Sequence, residues 1–257
     1  GADLVGICAY DARWMYEGVY DGEGKSKPSG IPDDLPHVIV TGESMDKELT
    51  STVPSALAGA ATGMGYTNDC VTLLTITQYI RNLGYRAYAT MNDSALAVPL
   101  AVQAGLGEGG RHSLLITEEY GARLRLGKIF TDMPLVHDAP KSFGVKEFCD
   151  VCNRCAKGCP PKAISFDPPS DKIFNRSNLK GVVKWTTDAE KCFRFWVNQN
   201  TDCSICIRVC PYNRDYTKWV NRVWQKLAGS RFRRFALWLD DRFHPRPREK
   251  SADWGGN

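Results

Sequence analysis

Eight of the ten cysteines fall between Cys149 and Cys210, in two runs that each end in Cys-Pro. Cys149, Cys152, Cys155 and Cys159 read C-x2-C-x2-C-x3-C-P, the bacterial ferredoxin spacing, and Cys192, Cys203, Cys206 and Cys210 read C-x10-C-x2-C-x3-C-P. Three thiolates this close wrap three irons of one cubane, and the fourth, carried away by the following chain, reaches a second cubane. On that logic Cys149, Cys152, Cys155 and Cys210 hold one [4Fe–4S] cluster, and Cys159, Cys192, Cys203 and Cys206 hold the other. Pro160 and Pro211 stop regular structure after the last ligand of each run. Structural zinc also uses paired C-x2-C motifs, but a zinc pair has no use for the third cysteine of C-x2-C-x2-C. A disulfide framework would spread its cysteines through the chain, and here they cluster. Cys8 and Cys70 stand apart and read as small buried hydrophobes. Two cubanes form an electron wire, which needs a donor at one end and a redox centre at the other.

The elements that must position this chemistry follow an α/β (α+β) pattern. Residues 1–140 alternate short apolar runs with helical stretches, and strands are expected over 37–41, 85–90, 113–117 and 123–130. Between them, apolar spacing near 3.6 predicts a helix over 71–83, with Asn68 or Asp69 as N-cap and Gly84 just past its end. A second helix is expected over 94–104, kinked by Pro99. Residues 18–36, rich in Gly, Pro, Asp and Lys, read as an exposed loop. From 141 to 215 the composition turns to cysteine, short helices and turns, with a polar insertion over 164–181. The remainder, 216–257, is a tail, helical and basic to about residue 243 and ended by Pro245, Pro247 and the final glycines. Its Trp219, Trp224, Phe232, Phe235 and Trp238 lie among arginines and lysines, a pattern that suits either a membrane surface or packing on the cysteine module.

Composition narrows the function classes. Lys and Arg number 33 against 29 Asp and Glu, so no strong basic field argues for a nucleic-acid partner. No apolar run is long enough to span a bilayer. The opening GADLVGIC is already apolar and lacks Met, which reads as the interior of a longer protein. Gly105, Gly107 and Gly110 fit G-x-G-x-x-G, but they follow a helix and precede a strand, the reverse of the dinucleotide-binding order. Absent Cβ atoms there, and over 59–65, suit close backbone approach to a flat macrocycle.

Nearly the whole chain resembles the catalytic subunits of corrinoid-dependent reductive dehalogenases, the tetrachloroethene type in particular. The stretches that carry the resemblance are GADLVGIC, ALAGAATGMGY, QYIRNLGYRA, AGLGEGGR, YGARLRLGKIFTDMPLV, FGVKEFCDVCNRCAKGCPPKAI, KCFRFW and CSICIRVCPYN. The resemblance implies a nitroreductase-like corrinoid-binding domain over 1–140, a bacterial-ferredoxin-like double [4Fe–4S] module over 141–215, and an N-terminal part absent from this sequence. It makes Tyr66 in GMGYT the proton donor, Arg125 in RLRLG its neighbour, and Asn92 in TMND a polar pocket residue. Thr62 in GAATG and Trp196 in CFRFW become pocket-lining positions. A phenol stays protonated until a carbanion-like fragment appears, and a neighbouring guanidinium favours the phenolate left behind. None of His37, His112, His137 and His244 lies in D-x-H-x-x-G, so the corrinoid is expected base-off. A small organohalide substrate, an external electron donor reached through a membrane anchor protein, a homodimer, and export to the outer face of the cytoplasmic membrane are implied likewise. The alternatives are an epoxyqueuosine reductase-like enzyme acting on tRNA, which calls for a basic groove, and a plain electron carrier.

Overall fold

The computed structural model describes residues 1–20 and 23–248. In chain order the elements are β1 (Leu4–Ala9), β2 (Val19–Tyr20), β3 (Ser26–Lys27), β4 (His37–Ser44), α1 (Lys47–Ser51), α2 (Ala56–Asn82), β5 (Ala87–Thr90), α3 (Ala97–Gln103), β6 (Glu108–Gly109), β7 (Leu115–Ile116), β8 (Leu124–Thr131), α4 (Val145–Val151), α5 (Arg154–Gly158), α6 (Ala189–Gln199), α7 (Ile205–Arg208), α8 (Trp219–Ala228) and α9 (Arg233–Phe243). They form two compact units. One comprises Gly1–Ser44, Gly65–Gly107 and Leu124–Lys141, and the other Met45–Met64, Glu108–Arg123 and Ser142–Asn257.

The first unit is built on an antiparallel sheet in the order β1-β4-β8-β5. β4 and β8 pair from His37 opposite Thr131 to Ser44 opposite Leu124. β4 is buried from Val38 to Glu43, its apolar run of Val38, Ile39 and Val40 included, as in a strand covered on both faces. The buried positions of α2 in this unit, Gly65, Asp69, Thr72, Leu73, Thr77 and Ile80, recur at helical spacing and make one stripe. Leu73 and Ile80 pack with Ile39, Ala87 and Ile129. Close approach is made possible by Gly127 on β8, where an added Cβ would stand 2.4 Å from Asp69 Oδ1 and 2.7 Å from Thr41 Oγ1.

Several local expectations change. The helix expected over 71–83 begins at Ala56, so neither Asn68 nor Asp69 caps it. Ala56, Ala58, Ala60 and Ala61 supply enough helix propensity to carry the chain through Gly59, Gly63 and Gly65. Pro99 sits in the first turn of α3, where its missing N–H has no intrahelical partner to lose, and it does not kink the helix. The opening apolar stretch forms β1, an edge strand for which no expectation was made. Within 18–36 the short β2 and β3 pair, and the strand expected over 113–117 shortens to β7.

The second unit gathers Phe148, Cys149, Cys152, Cys210, Tyr212, Trp185 and Trp224 into its principal core. The rings of Phe148, Tyr212 and Trp224 meet edge to face at 5.4–5.5 Å. The tail expected over 216–243 is α8 and α9, and it packs on this cysteine-bearing core. Trp224 Nε1 donates to the Ala236 carbonyl at 2.9 Å. Asp240 of α9 is fully buried and pairs with Arg154, Arg214 and Arg246. Trp219, Phe235 and Trp238 stay exposed on the tail's other side. The final glycines lie outside the described residues. Trp224→Ala removes a ring partner of both Phe148 and Tyr212 together with the Ala236 bond. It is expected to lower stability by about 3–5 kcal/mol and to open α9 to protease; an unchanged urea midpoint would show that the tail does not depend on this anchor.

Candidate functional site

In the first unit, α2, the segment after β5 and β8 bring together Tyr66, Asn92 and Arg125, residues far apart in sequence. Asn92 Nδ2 donates to Tyr66 Oη at 2.8 Å, and Arg125 Nη1 donates to the same oxygen at 3.3 Å. The Arg125 guanidinium lies 4.8 Å from the Tyr66 ring centroid. The phenol oxygen therefore accepts two hydrogen bonds, and its own hydrogen is the valence left to give. Tyr66 and Arg125 are half-buried and Asn92 is exposed, so the hydroxyl stands at a surface that a small molecule can reach.

Behind this triad lies a buried charged group that sequence reading missed. Glu43, 4% exposed, faces Arg125 across the β4–β8 ladder. Asp69, one turn beyond Tyr66, is 1% exposed and accepts from Thr41 Oγ1 at 3.4 Å. Burial is the main cause that pushes its carboxyl up to about 6; Glu43 adds to the rise, while Thr41, Lys128 and Arg125 oppose it. Lys128 is fully buried, donates to the Met91 carbonyl, and is pushed down to about 8 by burial against the pull of Asp93 and Asp69. In sequence these are an aspartate on a polar helix and a lysine on a strand, and no local pattern marks either as buried.

The other expected cofactor contacts are placed as follows. Gly105 adopts φ +70°, and a Cβ there would meet the Ala139 carbonyl at 2.5 Å, so glycine is required by the chain itself. A Cβ at Gly110 would meet Ile116 and His112, and Gly107 is buried. Thr62 donates to Asp202 within the second unit. Trp196 lies one turn beyond Cys192 on α6. Among the histidines, His37 and His137 contact each other at 2.8 Å, while His112 is buried and pushed down to about 4.

All eight clustered cysteines belong to the second unit and none forms a disulfide. Burial raises Cys149, and the charges of Cys210, Cys152 and Cys155 raise it further. Burial likewise raises Cys206, reinforced by Cys203, Cys192 and Cys159. Cys210 is pushed up to about 12 and Cys192 to about 11 by the same cause. Backbone N–H groups oppose these rises: those of Arg111, Arg154, Ala156, Ile205 and Tyr212 favour the thiolates of Cys149, Cys152, Cys155, Cys203 and Cys210. Ala163 N donates to Cys159 Sγ at 3.3 Å. Buried thiols ringed by donors fit a cationic iron–sulfur core, which would hold them as thiolates. Among the described residues, no group of three or more His, Cys, Asp or Glu side chains is drawn together around one point.

The fold and the cysteine set define a redox protein whose sequence matches two family descriptions, "Reductive dehalogenase subunit" over residues 16–135 and "4Fe-4S dicluster domain" over residues 148–214. The chain belongs to the reductive dehalogenase family. Within it, the chain is 36% identical over 256 residues to a tetrachloroethene reductive dehalogenase of Desulfitobacterium hafniense, a match covering 83% of this chain and 46% of that one. A solved structure described as suggesting "a mechanism for B12-dependent dehalogenation" superposes with a TM-score of 0.83 at 28% identity, covering 96% of this chain and 35% of that one. The epoxyqueuosine reductase of Streptococcus thermophilus gives a TM-score of 0.52 at 18% identity, covering 83% of this chain and 63% of that one, a likeness of fold alone. The chain spans about half the length of the curated relatives it matches. No helix among the described residues is long and apolar enough to cross a membrane.

The buried carboxyl of Asp69 gives the first unit a signature in acid. Its folded value, about 6, lies above the ordinary 3.8. Between these values the folded chain keeps a proton that the unfolded chain has lost, so stability falls as pH rises through the window, by on the order of 2 kcal/mol. Asp69→Asn is expected to flatten this slope in urea titrations from about pH 4 to about pH 6; a slope left intact would assign the proton to another group.

Proposed function

We propose that this chain carries the catalytic chemistry of a corrinoid-dependent reductive dehalogenase, with Tyr66 as proton donor. The observation that carries the reading is the pair of hydrogen bonds from Asn92 and Arg125 to the Tyr66 hydroxyl, in a chain of this family. Replacing halogen by hydrogen consumes two electrons and one proton and releases halide. A base-off corrinoid, when bound, supplies the electrons to the carbon–halogen bond, and two [4Fe–4S] clusters held by the eight cysteines feed it. The chain's own residues handle the proton. Tyr66 donates its hydroxyl hydrogen to the carbon that loses halide. Arg125, already bonded to that oxygen, stabilises the phenolate, and Asn92 fixes its position. Solvent reaches this exposed edge and returns the proton between turnovers.

Thr62 and Trp196 are proposed corrinoid contacts on the resemblance alone and Gly107 on its absent Cβ, while Gly105 and Gly110 have internal reasons to be glycine. By the same resemblance the whole protein is exported, works at the outer face of the cytoplasmic membrane with an external donor and a membrane anchor protein, and assembles as a homodimer. Anaerobic purification with metal analysis tests the cofactors: about eight irons and one cobalt per chain are expected, and zinc at the thiolates would end the reading. Tyr66→Phe is expected to keep both metals and lose turnover by roughly 10²–10⁴-fold; dehalogenation at the parent rate would remove Tyr66 from its role.

A further inference from the structure

The AGLGEGGR stretch ends in an arginine that the proposed reaction does not use. Arg111 is 3% exposed. Its Nε and Nη2 donate to the Cys149 carbonyl at 3.1 and 3.0 Å, and Nη1 donates to the carbonyls of Ser165 and Asp167, both at 3.0 Å. The guanidinium lies 5.0 Å from the Trp185 ring centroid. Every acceptor is a neutral carbonyl, and among the described residues no carboxylate forms an ion pair with it. A buried cation without an anion is costly, and it persists where a negative group lies close enough to offset it. Cys149 is the first ligand of one cubane, and four thiolates on a [4Fe–4S] core leave the whole net anionic. The backbone N–H of the same residue favours the Cys149 thiolate, so Arg111 supports this ligand from both main chain and side chain.

The two ligand sets differ in their surroundings. Arg154, between Cys152 and Cys155 in sequence, and Arg246 are ion-paired with Asp240 and Asp241. The helix that carries Cys192 is N-capped by Asp188, and Asp202 directly precedes Cys203. Reduction adds a negative charge to a cluster, which a nearby fixed cation favours and a nearby carboxylate opposes.

We propose that Arg111 raises the reduction potential of the cluster held by Cys149, Cys152, Cys155 and Cys210, through an uncompensated guanidinium fixed on the carbonyl of its first ligand, and so makes that cluster the higher-potential member of the pair. The inference rests on the two-cluster reading. An electron then settles at this cluster before the one held by Cys159, Cys192, Cys203 and Cys206, which fixes the order in which the wire fills. Arg111 is a positioning and tuning residue and touches no substrate.

The test is a redox titration of the anaerobically purified chain, followed by electron paramagnetic resonance, on the parent, Arg111→Gln and Arg111→Lys. Arg111→Gln keeps a donor and loses the charge. It is expected to make the higher-potential cluster about tenfold harder to reduce, a fall of about 59 mV for a one-electron couple, with the lower midpoint unmoved. Arg111→Lys keeps the charge and is expected to hold the parent midpoint. Unmoved midpoints in Arg111→Gln overturn the proposal, and so do equal shifts in both variants or a shift confined to the lower-potential cluster. Loss of iron from both variants also overturns it, since the fork of donors and not the charge would then be what the site requires. A parent chain without eight irons and two such signals defeats the two-cluster reading itself, before any variant is made.

Discussion

Holding several sulfur anions in an apolar interior is the constraint on which the cysteine-rich unit depends. The thiols of Cys149, Cys152, Cys155, Cys192, Cys203, Cys206 and Cys210 are pushed toward their neutral form by burial and by charged neighbours, and the chain answers with backbone N–H groups directed at five of these sulfurs. Such donors are free to point at sulfur only where the chain is not committed to long regular structure. That explains why α4, α5 and α7 are so short and why a ligand stands at or beside their ends. The packed rings of Phe148, Tyr212 and Trp224 then supply the rigidity that brief helices cannot.

The first unit solves a different problem. Its hydroxyl must be held firmly yet remain within reach of solvent. Firmness comes from three separate elements converging on one oxygen, and from a helix lying directly on the sheet at Gly127. The buried Glu43, Asp69 and Lys128 beneath give the triad a charged floor in place of an apolar one. That floor is dear in desolvation, which the displaced proton affinities of Asp69 and Lys128 record.

The parts legible in the sequence were those whose chemistry is written in local spacing. Ligands two and three residues apart announce themselves whatever the remainder of the chain does, and β4, β5 and β8 show runs that only a strand would hide. Tyr66, Arg125 and Asn92 were found through family resemblance, because nothing local distinguishes a working phenol from an anchoring one. The start of α2 lies well before Asn68 and Asp69 because capping residues inside a helix look the same as those at its end, and the alanines around Gly59, Gly63 and Gly65 carry the helix through them. Asp69, Lys128 and Arg111 stayed out of sight for a deeper reason. Their character comes from burial, which is decided by segments dozens of residues away, as when Arg111 finds its acceptors at positions 149, 165 and 167.

Asp240 shows how such burial alters a protein's response to its medium. Its three guanidinium partners come from α5, from the segment before α8 and from the segment after α9, so one carboxylate gathers four stretches of chain. Because it is wholly enclosed, dissolved ions cannot approach to screen it, unlike the exposed Lys25–Glu23 pair. Salt that weakens surface attraction therefore weakens this junction much less, and the C-terminal helices owe their attachment to a charge that ions in solution screen poorly.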